Sequence, residues 1–95
     1  MCGGFTQASK PNESTVALAN KHKADCEKKL GKHFTKWEAT QGRTQVVAGV
    51  NHDVKIDTGA EFVHIRIYEP LPGQGESQVT FCKGGFTKDS PLQNS

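Results

Sequence analysis

Phe62-Val63-His64-Ile65-Arg66-Ile67-Tyr68 sets apolar Val63, Ile65 and Ile67 at every second position, with polar His64 and Arg66 between them. Successive side chains of a strand point to opposite faces, so this stretch reads as a strand with one apolar face. Val54-Lys55-Ile56 alternates in the same way, and Gln78-Val79-Thr80-Phe81 is another extended stretch. His33 to Thr40 mixes aromatic and polar residues, but its alternation breaks between Phe34 and Trp37, which predicts a bulge or bend. Turn signals separate these pieces: Ala48-Gly49, Asp57-Thr58-Gly59 and Leu71-Pro72-Gly73-Gln74-Gly75. Close neighbours joined by short turns make hairpins and an antiparallel sheet.

Upstream the period changes. From about Glu13 to Leu30 the chain is rich in Ala, Leu, Lys and Glu, which favour helix. Leu18, His22, Cys26 and Leu30 recur every four residues, with Thr15 and Ala19 beside them, and form one face. Pro11 and Asn12 suit the start of that helix, and Gly31 suits its end. One helix laid on the apolar face of the sheet gives a single α+β domain over residues 1–95, in which the small, Gly-rich residues 1–11 are expected to be a partly flexible arm.

The chain has 95 residues, 12 basic and 10 acidic, for a net charge of +2. That balance argues against nucleic acid as the main partner, and the lysines near the helix are diluted by Asp25 and Glu27. Three cysteines at wide spacing, Cys2, Cys26 and Cys82, make a poor disulfide framework. Ordinary packing is therefore expected to hold the domain, which fits a reducing compartment. Met1 to Phe5 has no basic region leading into an apolar stretch, and no apolar run approaches membrane-spanning length. A cytoplasmic protein with no membrane partner is expected.

Catalysis finds little support. Cys82 and His64 can be imagined meeting across strands, but each is also a routine sheet residue, and nothing marks either as activated. His22 and Cys26 share a helix face at a metal-ligand spacing, without a second pair to complete a site. A small apolar Cys facing the sheet is the simpler account. Neither an enzyme nor a metal or cofactor protein is expected.

Gln45-Val46-Val47-Ala48-Gly49 is more informative. Two β-branched residues run straight into a small-residue turn. Only one of two adjacent strand side chains faces a core, so at least one valine is expected on the surface. An apolar tip on a surface hairpin marks a binding surface. Leu71-Pro72 repeats the theme in the next long turn, although on its own it reads as a plain Pro-Gly turn.

These residues resemble the cystatins, and within them the stefins. Gln45 to Gly49 reads as the Q-x-V-x-G segment of that family. Gly3-Gly4 stands where the family has its inhibitory glycine, and Leu71-Pro72-Gly73 where stefins carry a second inhibitory hairpin. Phe62 to Ile67 looks like the strand before that hairpin. The absence of paired cysteines is also similar to stefins. The resemblance runs from residue 1 to about residue 81. It departs at His22, where an aliphatic residue is usual, at His52-Asp53, where an aromatic pair is common, and from Lys83 to Ser95.

The resemblance implies a five-stranded antiparallel sheet wrapped around one long helix, the first strand lying near Phe5 to Ser9. It implies a reversible competitive inhibitor of papain-like and cathepsin-like cysteine proteases, monomeric or domain-swapped. Gly3 and Gly4, the segment Gln45, Val46, Val47, Ala48 and Gly49, and the turn Leu71, Pro72 and Gly73 would form the wedge. A non-inhibitory binding or self-associating module is the alternative.

Overall fold

The computed structural model describes residues 9–92. Asn12 opens α1 (Glu13–Lys21): its side-chain oxygen accepts a 2.8 Å hydrogen bond from the Thr15 N–H. α2 (Lys23–Leu30) closes at Gly31, whose φ of 65° only glycine adopts readily. The buried stripe is Thr15, Ala19, His22 and Cys26, with Leu18 and Leu30 half-buried beside it.

The single long helix expected over these residues is two. His22 (φ −99°, ψ 13°) ends α1 and begins α2, although the bonds from His22 N–H to Leu18 and from Cys26 N–H to His22 still span the junction. The residue at the junction carries a polar ring on the buried stripe. His22 is 5% exposed and satisfies both ring nitrogens, on Asp25 and Ser77.

Four strands follow: β1 (Glu38–Val47), β2 (Gly49–Asp57), β3 (Phe62–Glu69) and β4 (Gln78–Phe86). They form an antiparallel meander in the order β1-β2-β3-β4. The core between sheet and helices contains Val54, Ile56, Val63, Ile65, Ile67, Ala19, Cys26 and Phe34. Phe34 and Trp37 both pack there, with ring centroids 5.7 Å apart, and Trp37 Nε1 donates to the Ala19 carbonyl at 3.2 Å. Two side chains three apart cannot share one face of a strand, so residues 34–37 stay irregular and β1 begins at Glu38. The bulge itself falls later, where the register jumps between Ala39 and Gln41.

Among the described residues the sheet has four strands rather than five. The expected first strand, Phe5 to Ser9, lies outside them except for Ser9. Ser9 forms an isolated antiparallel bridge with Gly42, with N–H···O distances of 3.0 and 2.8 Å.

The cysteines also depart from expectation. Cys26 and Cys82 form a disulfide. Their separation of 56 residues is no obstacle, because α2 packs on β4 and brings the two Cα atoms to 6.0 Å. Cys82 is therefore not paired with His64 as nucleophile and base, nor Cys26 with His22 as metal ligands.

The sheet face away from the helices is charged. Asp53, 3% exposed, accepts from Arg43 at 3.0 and 3.1 Å and from Arg66 at 2.6 and 3.0 Å. Two guanidiniums satisfy the carboxylate's oxygens and offset the cost of burying it. Beyond β4 the chain lies over the same face. Lys55 Nζ donates to the Lys88 carbonyl at 2.8 Å, and Leu92 is buried. Thus the C-terminal stretch that departs from the stefin pattern is built into the fold as far as Leu92. Among the described residues no helix is long and apolar enough to cross a membrane.

Candidate functional site

The meander fixes where the turns go. In an antiparallel sheet the β1–β2 and β3–β4 connections emerge at one end and the β2–β3 connection at the other. The register agrees: Val50, just after the first turn, pairs with Glu69, just before the second. The two apolar loops singled out in the sequence are therefore neighbours.

The first hairpin pairs Gln45 with Asn51, Val46 with Val50 and Val47 with Gly49, leaving Ala48 at the tip. Asn51 Nδ2 donates to Gln45 Oε1 at 3.2 Å across the strands, so Gln45 helps to hold the hairpin. Val46 is 65% exposed, Val47 is half-buried and Ala48 is exposed. Gly49 is required twice over. Its φ is 120°, and a Cβ there would stand 2.5 Å from the Glu69 carbonyl oxygen and 2.9 Å from the Tyr68 hydroxyl. The absence of a side chain lets the first hairpin pack directly on the end of β3. The Tyr68 hydroxyl in turn donates to the Ala48 carbonyl.

The second loop carries Leu71 (51% exposed), Pro72 and Gly73, all on the surface. A turn closes within it, Gln74 N–H to Leu71 carbonyl at 2.9 Å. Gly49, Val50, Leu71 and Pro72 line a shared groove with Leu18 and Lys21 of α1. Val46 and Leu71 are the large apolar side chains left exposed among the described residues, and both lie at this end of the sheet. Gly3 and Gly4 lie outside the described residues.

Polar residues the sequence reading did not assign to the site stand behind it. His52, 5% exposed, bonds Thr15 Oγ1 at 3.1 Å and Glu69 Oε1 at 2.9 Å, tying α1 and β2 to the start of the second loop. The legible signal was the pair His52-Asp53, two polar residues inside an apolar-patterned strand. On the charged face, hydrogen bonding to Asp53 holds the Arg66 guanidinium above its ordinary pKa. His64 is 2% exposed, stacks on Phe86 at 3.8 Å and has no hydrogen bond to either ring nitrogen. Burial, reinforced by Lys55, pushes its pKa down to about 4. It lies on the far face from the loops' groove, paired across the strands with Lys55 and Lys83.

Among the described residues no cluster of three metal-ligating side chains occurs. What the geometry offers is an apolar, two-loop edge backed by a rigid sheet.

Comparison with known proteins agrees with this architecture. A family model described as Cystatin domain matches residues 3–90. Cystatin-A of Mus musculus is 32% identical over 91 residues, covering 95% of this chain and 94% of that protein. Cystatin-B of Bos taurus is 36% identical over 77 residues, 80% of this chain and 79% of its own. A protein of Sus scrofa named leukocyte cysteine proteinase inhibitor 1 is 39% identical over 75 residues, 78% and 73% of the two chains. The family consists of protease inhibitors rather than enzymes. With its α+β meander, its paired apolar loops and relatives at this identity over most of its length, the chain belongs to the cystatin family, among the stefins.

Proposed function

We propose that this protein is a reversible, tight-binding competitive inhibitor of papain-like cysteine proteases. It acts by blocking the active-site cleft, with no bond made or broken. The first hairpin, Gln45 to Gly49, and the second turn, Leu71 to Gly73, insert side by side. Gly3 and Gly4 of the arm approach from the same edge. The observation that carries this reading is the placement of Val46 and Leu71, exposed and apolar, on adjacent loops at one end of the sheet.

Ser9, the first described residue, pairs antiparallel with Gly42 of β1, which ties the start of the described chain to the strand that carries Val46. Burying one exposed Val or Leu contributes about 1.5–3 kcal/mol, before the entropy lost on association. Preformed loops reduce that loss, which supports tight binding.

We read residues 1–95 as one monomeric domain that works in the cytoplasm. The Cys26–Cys82 bond removes the argument from unpaired cysteines, so the cytoplasmic reading rests on similarity to the stefins alone.

Titration of papain with the purified protein tests the proposal. Activity should fall linearly to zero near one equivalent, and the inhibitor recovered from the complex should be uncleaved. Undiminished papain activity at a large excess rejects the inhibitor and leaves a binding module of the same fold.

A further inference from the structure

The second loop spans residues 70–77, between Glu69 at the end of β3 and Gln78 at the start of β4. Its own restraints are slight. Leu71 through Glu76 are exposed, Gly73 and Gly75 have φ of 84° and 122°, and a single turn bond closes within it. Yet each end of the loop is gripped by a buried histidine from another element.

At the leading end His52 of β2 holds the Glu69 carboxylate at 2.9 Å through Nε2, while its Nδ1 meets Thr15 Oγ1 of α1 at 3.1 Å. A carboxylate can only accept, so Nε2 carries a proton and donates, and the Thr15 hydroxyl can serve Nδ1 as donor or as acceptor. At the trailing end His22, at the α1–α2 junction, holds Ser77 Oγ at 2.9 Å through Nε2 and Asp25 Oδ2 at 2.7 Å through Nδ1. By the same logic Nδ1 donates to Asp25, and the Ser77 hydroxyl can complement Nε2 in either role. Each ring is 5% exposed and uses both nitrogens. Both brace points connect the loop to the helical layer: His52 through Thr15 of α1, and His22 from the helix junction itself. An aliphatic residue at 22 or an aromatic one at 52 would fill the space but hold neither end.

We infer that His22 and His52 are positioning residues that hold loop 70–77 in its protease-binding shape. The inference rests on the inhibitor reading above. A loop ordered before association loses less entropy on binding, and within one interface such gains appear mainly as slower dissociation.

The test has two arms. Backbone order parameters of Gly73, Gln74 and Gly75 are measured by NMR in the free protein, and dissociation from papain is measured alongside. For His22→Leu and His52→Phe the order parameters should fall from near the rigid value of about 0.85 to below about 0.6. Dissociation should quicken roughly five- to tenfold per lost anchor, with association nearly unchanged. His52→Gln, which can still donate to Glu69, should recover part of both effects, whereas a merely space-filling role predicts no rescue. If His22→Leu does not fold, Ser77→Ala removes the same bond from the loop side, where the side chain is half-buried. Unchanged order parameters overturn the brace, as does a loosened loop with unaltered dissociation. A wild-type protein that leaves papain active overturns the inhibitor reading instead, while the order parameters still decide whether the two histidines hold the loop.

Discussion

The Tyr68 hydroxyl donates a hydrogen bond to the carbonyl oxygen of Ala48, joining the tip of the first hairpin to the strand that feeds the second loop. The two apolar loops are thus fixed to each other as well as to the sheet. Removing the hydroxyl in Tyr68→Phe keeps the ring and its packing. A typical intramolecular hydrogen bond has a net worth of about 0.5–1.5 kcal/mol, so papain binding should weaken roughly three- to tenfold. Competition kinetics measure this, and unaltered dissociation would show that the bond does not order the tip for binding.

Gly49 and Gly73 separate two effects that a glycine can serve. Gly73 has positive φ, but a Cβ there meets nothing within 4 Å, whereas one on Gly49 meets the Glu69 carbonyl oxygen at 2.5 Å. Gly73→Ala should cost about 1 kcal/mol of backbone strain, at the low end of the usual range. Gly49→Ala should cost clearly more and push the hairpin off β3, loosening papain binding as well. Urea denaturation of both variants compares them, and equal losses would contradict the close approach.

Val46 and Leu71 are exposed, so a charge at either should leave the folded domain as stable as before. At a protease interface each would lose its burial and place a carboxylate in an apolar contact. Val46→Asp and Leu71→Asp should each weaken papain inhibition ten- to a hundredfold, the equivalent of about 1.5–3 kcal/mol. Calorimetric melting shows whether the fold is spared. Full inhibition by either variant would remove that side chain from the contact.

His64 makes the domain sensitive to acid. Its pKa lies at about 4 in the folded chain, against an ordinary 6.5, chiefly because burial disfavours the cation and secondarily because Lys55 is near. The unfolded chain therefore takes up the proton first. Stability from this residue is fully present above about pH 6.5 and is lost as pH falls toward 4. The span amounts to roughly 3 kcal/mol at 1.36 kcal/mol per pKa unit. His64→Phe should flatten the stability curve between those two pH values, and a variant with the same acid slope would assign the loss elsewhere.

The Cys26–Cys82 bond closes a loop of 56 residues between α2 and β4. Loop-closure entropy alone makes such a cross-link worth about 4 kcal/mol. Reductant, or Cys82→Ser, should lower the urea midpoint accordingly. An identical midpoint in oxidised and reduced protein would mean that packing alone holds α2 on the sheet.

Much of this molecule is legible along the chain. The alternation of Val63, Ile65 and Ile67 determined a strand and its inner face, and the turn residues implied hairpins of an antiparallel sheet. The repeat of Leu18, His22, Cys26 and Leu30, with Thr15 and Ala19 beside it, marked one helix face, of which Thr15, Ala19, His22 and Cys26 are the buried part; two adjacent valines before Ala48-Gly49 implied an exposed one. These are periodic or nearest-neighbour properties, and a linear sequence carries them because side-chain direction repeats with the backbone.

The tertiary structure decided the rest. Cys26 and Cys82 became partners only when α2 lay on β4. His22 met Ser77, 55 residues further on, only when the second loop lay against the helix junction. Glu69 found His52, and Ala48 found Tyr68, through strand register. Each of these depends on which distant residues share a few ångströms of space, and that is set by how layers pack rather than by any pattern along the chain.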